Sequence, residues 1–277
     1  MCLFFYFLKI YYKIKMPPKT IYIIRHCDKP PLKINDKGGC IDEGYLRAKM
    51  LAGFKGSCTT QLNKCNNICS GTYSGGFWEK ILGNDKPTAL YAAVSKTDSS
   101  YANDKNLINR GIKCSIANRC CFILNPTANR YNLEINDDGG TFCDTEGSLL
   151  GSYILNQSSN NNGIIIIAWE HHDISNLLNS LGANPQFLEW PDDAADRFDI
   201  VFKLDYSKNS KNPDITIFTQ NLNLQGDSNK IPDFKRKTAT ILNTINNSKI
   251  WIYIIIAILL IIALSLIIFF TRKKKDM

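Results

Sequence analysis

The sequence predicts an α/β domain with a mostly parallel central sheet, followed by one transmembrane helix. Three observations carry this. Ile21-Tyr22-Ile23-Ile24 runs straight into Arg25-His26-Cys27-Asp28. Ile164-Ile165-Ile166-Ile167-Ala168-Trp169 runs into Glu170-His171-His172-Asp173. From Ile250 to Phe270, 21 residues carry no charge, and Ser265 is the only strongly polar one. Short continuous apolar runs read as strands buried on both faces, the pattern of parallel sheets. The polar residues after them fall at the strands' carboxyl ends, where open α/β sheets place ligands.

Taken in order, the first strand ends in the turn Lys29-Pro30-Pro31-Leu32. Leu46, Met50, Leu51 and Phe54 then recur at helical spacing, which predicts a helix over about Glu43–Phe54. Residues 55–76, rich in Gly, Ser, Thr, Asn and Cys, read as a long surface insertion. Phe77–Leu82 is expected as a short helix and Pro87–Val94 as a second buried strand. After a polar stretch, a helix around Arg119–Ala128 is expected to kink or end at Pro126. Ser148–Leu155 reads as a helix, and the polar run 158–163 as a turn into the Ile164 strand. Ile174, Leu177, Leu178 and Leu181 form an apolar helical stripe ending at Gly182, with Asp173 or Ser175 as its cap. Phe198–Leu204 and Asp214–Thr219 are further strands. The expected organisation is an N-terminal extension (1–19), the domain (20–220), a polar linker (221–249), the membrane helix (250–270) and a basic tail (271–277).

A helix of the Ile250–Phe270 length spans roughly 30 Å, the thickness of the bilayer core. Trp251 and Tyr253 suit an interfacial anchor, and Arg272–Lys275 stop the segment. The formal charge of +8 sits mostly at the two ends, leaving about +1 between them. That excludes a broad basic field for nucleic acid and suits a membrane surface. Basic residues flank the span equally, so charge does not set orientation. The run Cys2–Leu8 is too short to span and lacks a signal peptide's basic start and cleavage site. A tail-anchored protein with a cytosolic domain is therefore expected, with a luminal domain as the alternative. Asn156-Gln157-Ser158 and Asn246-Asn247-Ser248 have the form of glycosylation acceptors. Most of the ten scattered cysteines are expected as free thiols, with Cys58, Cys65 and Cys69 as a candidate cluster.

The chain has only three histidines, and all three follow apolar strands. Two separate strands that each deliver histidine to one sheet edge point to a joint site. Ile21–Pro30 resembles the Arg-His-Gly signature of the histidine phosphatase superfamily, the phosphoglycerate mutase-like fold. Gly44-Tyr45-Leu46-Arg47-Ala48 is similar to its Gly-x-x-Arg-Ala helix, and Pro87–Ala92 to the strand before its second arginine. Asn118-Arg119 resembles the Ser-Arg of that arginine, and Trp169-Glu170-His171 the Trp-Glu-His form of the second histidine motif. Trp190-Pro191 and Phe198-Asp199 resemble the same subgroup, and the likeness spans about residues 20–206.

The resemblance implies a three-layer α/β/α domain and a phosphohistidine mechanism without metal or cofactor. His26 would attack phosphorus, with Arg25, Arg119 and His171 holding the phosphoryl oxygens. His172 is the alternative to His171, and Arg110 to Arg119. Glu146 is the expected acid for the leaving oxygen, with Glu170, Asp173 and Asp28 as rivals. Arg47 is expected to be structural. Cys27 stands where the family has Gly, and Asn118 where it has Ser. The expected partners are a phosphorylated substrate and a lipid bilayer; the competing expectation is a tethered, inactive anion-binding module. A cysteine phosphatase needs Cys and Arg six positions apart, and no such pair suits. A nucleotide phosphate loop is absent from the sequence. The adjacent His171-His172 pair does not suit a zinc hydrolase.

Overall fold

β1 (Thr20–Arg25) lies at the centre of the sheet because all six of its residues are buried. A computed structural model describes residues 17–29, 39–58, 65, 67–94, 118–137, 141–183, 190–191, 194–209 and 211–234. The elements that follow are α1 (Asp42–Ala52), β2 (Phe54–Cys58), β3 (Cys69–Tyr73), α2 (Phe77–Leu82) and β4 (Ala89–Ala92). Then come α3 (Arg119–Tyr131), α4 (Gly147–Asn156), β5 (Ile164–Trp169), α5 (Ile174–Ser180), β6 (Ile200–Asp205) and β7 (Asp214–Thr219).

The main sheet has the order β4-β5-β1-β6-β7. β4, β5 and β1 are parallel, β6 runs against β1, and β7 runs against β6. Four of the five strands therefore share one direction. In the β1–β5 register Ile21 faces Ile165, Ile23 faces Ile167, and Arg25 faces Trp169. Ile21, Ile23, Ile24, Ile165, Ile166 and Ile167 have no exposed surface. Each such side chain contributes about 1.5–3 kcal/mol relative to exposure, which makes this strand pair the anchor of the fold. The helices pack as two groups, α1 with α2 and α3, and α4 with α5, as a layered α/β arrangement requires.

Several expectations change. The insertion at 55–76 is not structureless: β2 and β3 pair as an antiparallel hairpin, joined by a Cys58–Cys69 disulfide. α3 does not end at Pro126 but continues to Tyr131. Proline removes one helical hydrogen bond, at about 3 kcal/mol. Burial of Cys120–Ala128 and a Cys65–Cys121 disulfide hold the helix through it. The cysteines are mostly paired rather than free. Cys27–Cys40 is a third disulfide, and Cys143 is also disulfide-bonded. Cys120 remains a free thiol, buried in the core.

Residues past 220, within the stretch expected as a linker, also contact the domain. Gln220 and Asp227 hydrogen-bond to Arg47, and Phe234 packs edge-on against Trp190 and Phe202. Among the described residues no helix is long and apolar enough to cross a membrane. The expected span at 250–270 lies outside the described residues, as do Arg110 and residues 1–16.

Candidate functional site

The carboxyl ends of β1 and β5 lie side by side, so the residues after Arg25 and Trp169 must meet. The His26 N–H donates to the Trp169 carbonyl (3.1 Å), which continues the strand pairing one residue further. This brings His26 and His171 to a ring separation of 6.0 Å, with Glu170 between them.

His26 is wholly buried. Its Nδ1 lies 2.7 Å from the Cys27 carbonyl oxygen. A carbonyl can only accept, so that nitrogen carries the hydrogen and Nε2 faces the site. Glu170 Oε2 is 3.2 Å from Nε2, and Arg25 Nε is 3.4 Å from it. The Phe198 ring packs edge-on against the imidazole at 5.4 Å.

Arg25 is fully buried, yet its guanidinium is only partly paired. Nη1 donates to the carbonyls of Ala195 (2.5 Å) and Arg197 (3.1 Å). Its plane lies over Phe198, with the carbon 4.2 Å from the ring centroid. Nη2 has no hydrogen-bond partner. Burial lowers this guanidinium to about 10, against the pull of Glu170, so it stays charged at neutral pH.

His171 is buried and its Nδ1 also lacks a hydrogen-bond partner; the nearest acceptor, Glu170 Oε2, is 3.7 Å away. Burial, reinforced by the positive Arg25, pushes the His171 imidazole down to about 4 despite Glu170. Burial works against ionising Glu170, but attraction to His26 and the contacts with both histidines outweigh it. Its carboxyl is held well below the usual range. His172, the other candidate, is exposed and lies against His171, with ring centroids 3.7 Å apart and planes tilted by 41°.

Asp28 and Asp173 are bonded to other groups. Asp28 accepts two bonds from Arg47, at 2.8 and 3.2 Å. Asp173 accepts from Trp169 Nε1 (3.1 Å), the Gly147 N–H (2.5 Å) and Asn176 (2.6 Å). It stands at the start of α5 but makes no side-chain cap there. Glu146 is buried at the start of α4, where Oε2 accepts the Cys143 N–H (2.8 Å). The carboxylate in contact with His26 is Glu170, expected only as a rival to Glu146.

Arg119 opens α3, and its Nε donates to the Gly39 carbonyl (3.2 Å). It is near enough for its charge to act on Arg25. The Gly39–Ile41 segment is fixed against the His26 loop by Cys27–Cys40 and by Ile41 N–H to the Asp28 carbonyl (3.1 Å). Gly44 explains how α1 reaches this loop. A Cβ there would come within 2.9 Å of the Asp28 backbone nitrogen and oxygen. The absent side chain lets Arg47 grip Asp28, so Arg47 positions the turn that carries His26.

Sequence reasoning did not find the walls of the site. Phe198 and Trp190 cover Arg25, and the Ala195 and Arg197 carbonyls hold it, all from the segment before β6. No spacing rule marks carbonyl acceptors, but a buried arginine needs them. The Arg47–Asp227 pair, 180 residues apart, carried no local signal either.

No protein-family model matches the chain, and no curated protein matches it as a relative.

Proposed function

We propose that the chain is a membrane-tethered phosphomonoester hydrolase of the histidine phosphatase type, working through a phosphohistidine on His26. One observation carries the reading. The Nδ1–H bond to the Cys27 carbonyl leaves Nε2 as the nucleophilic nitrogen, beside a buried arginine with an unpartnered N–H.

The chemistry follows from these groups. A phosphate dianion entering beside Arg25 finds the Nη2 donor and the positive charge of Arg119. It must displace Glu170 from Nε2, where the carboxylate now stands. A dianion next to Glu170 raises that carboxyl's affinity for a proton, since like charges cannot both ionise freely. The protonated Glu170 then gives its proton to the leaving oxygen as Nε2 bonds to phosphorus and the ester P–O bond breaks. Water attacks the phosphohistidine, Glu170 takes its proton, and inorganic phosphate leaves. Glu170 thus replaces Glu146 as the acid, while Glu146 braces the turn at Cys143.

A second reading rests on the same contact. With Glu170 already on Nε2, the pocket could be closed to phosphate, leaving an inactive module of the same fold. Hydrolysis of a phosphomonoester panel by the full chain separates the two readings. Turnover that His26→Ala and Glu170→Gln each abolish, with the fold intact, supports the enzyme. No turnover on any ester by the wild type sinks it.

The disulfides support placing the domain on the oxidising side of a membrane rather than in the cytosol, because such bonds rarely persist among cytosolic thiols. Asn156 ends α4 on the surface and begins an acceptor triplet. Glycosidase treatment of the chain from secretory cells tests this: a mass shift that Asn156→Gln and Asn246→Gln remove supports it. Modification of the paired cysteines by thiol reagents, without prior reduction, contradicts it.

A further inference from the structure

We propose that the same pocket binds one zinc ion through His26 Nε2, a Glu170 carboxylate oxygen and His171 Nδ1, and that the ion silences His26. One ligand atom from each of these three residues lies within 4.8 Å of those from the other two. Tetrahedral zinc with bonds near 2.0–2.1 Å needs its donor atoms roughly 3.3 Å apart. Two edges of that triangle are already close, at 3.2 Å from His26 to Glu170 and 3.7 Å from Glu170 to His171. The Glu170–His171 edge has to shorten slightly, and the histidine–histidine edge has to close.

The donor chemistry agrees with the geometry. Two imidazoles and one carboxylate form a zinc set that leaves a fourth position open. The adjacent histidine pair does not supply it, since His172 is exposed; the second imidazole is His26, just after β1. His26 donates its other ring nitrogen to a backbone carbonyl, the bond that orients metal-bound imidazoles. His171 Nδ1 is a ring nitrogen on a side chain only 8% exposed, and it has no hydrogen-bond partner. A buried polar atom left so is costly unless a ligand takes it.

Arg25 sets the condition for this site. Its charge lies 3.4 Å from His26 Nε2, and Glu170 alone does not balance a dication beside it. The open fourth position is therefore filled by an anion, and Arg25 Nη2 is the free donor that such an anion meets. Zinc and phosphate bind together at this site. Zinc on Nε2 takes the lone pair that would attack phosphorus, so the bound ion inhibits hydrolysis. The inference uses the pocket of the preceding reading but does not depend on turnover.

The test uses the full chain in detergent micelles, disulfides intact, stripped with a chelator and titrated with zinc against a chromophoric indicator. One equivalent is expected, with affinity rising about tenfold or more when inorganic phosphate is added. Glu170→Gln and His171→Ala each weaken binding by about 100-fold, whereas His172→Ala leaves it unchanged. Glu170→Gln, nearly isosteric, keeps the test valid if His171→Ala fails to fold. Less than one equivalent, or binding that survives Glu170→Gln and is lost in His172→Ala, overturns the site. Turnover that saturating zinc leaves untouched overturns the inhibition while the hydrolase reading stands. Zinc bound as described to a chain without turnover leaves the site standing and removes that reading.

Discussion

Arg47→Met should be among the most destabilising single substitutions in this protein. Arg47 is fully buried, and its guanidinium serves three partners from distant parts of the chain. Nε and Nη2 grip Asp28, Nη2 also reaches Asp227 at 2.8 Å, and Nη1 donates to Gln220 at 3.0 Å. Those contacts outweigh its own burial and hold the guanidinium pKa above its ordinary value. Methionine fills much of the volume but leaves the Asp28 and Asp227 carboxylates, 6% and 7% exposed, without their shared cation. Breaking a buried pair in this way costs about 3–5 kcal/mol, and here two carboxylates lose their partner. Against a typical stability of about 5–15 kcal/mol, a loss of about 4 kcal/mol or more is a large share. Urea unfolding followed by the fluorescence of buried Trp78 and Trp169 measures it. Adding Asp28→Asn to Arg47→Met should return about 2 kcal/mol, because a neutral amide no longer needs a counterion. A cost below about 1 kcal/mol for Arg47→Met, or none returned by the double variant, refutes the reasoning.

In metal-free buffer, His171 should make stability fall as pH drops from about 6.5 to 4. The native imidazole is depressed to about 4, so between those values the unfolded chain binds the extra proton and gains; the full loss is about 3 kcal/mol. His171→Gln should flatten that part of a pH series of urea midpoints, and an unchanged slope contradicts the assignment. Gly44→Ala should cost about 1–3 kcal/mol, because its methyl group meets the Asp28 backbone at 2.9 Å and α1 must shift; thermal unfolding reads this out. Replacing Cys27 and Cys40 together by serine should cost about 3 kcal/mol from the freed loop of 13 residues' separation. The same pair should lower phosphomonoester turnover, since the bond fixes the turn whose carbonyl orients His26.

Much of the fold was legible because its signals are local. Ile164–Trp169 and Asp214–Thr219 fall at the predicted residues, and α2 at Phe77–Leu82 does too. Each is bounded by turn chemistry and carries its own apolar pattern. The convergence of His26 and His171 was legible for the same reason, since both are fixed to strand ends. What failed was non-local. Disulfide pairing depends on which loops the fold brings together, so Cys27–Cys40 and Cys65–Cys121 could not be read from scattered cysteines. That His171 is buried and His172 exposed depends on the fold, which one residue of spacing cannot supply. That Glu170 is the carboxylate in contact with His26 depends on the side-by-side ends of β1 and β5, which sequence spacing alone does not give. Pro126 within α3 shows tertiary burial outweighing a local helix breaker.

The most direct test of the proposed chemistry is rapid quench of the full chain with a radiolabelled phosphomonoester that the panel has shown it hydrolyses. The account predicts an acid-labile, base-stable label that mass spectrometry maps to His26 and that His26→Ala loses. Glu170→Gln should still take the label at a reduced rate. Label on another residue, or hydrolysis that persists in folded His26→Ala, would contradict it.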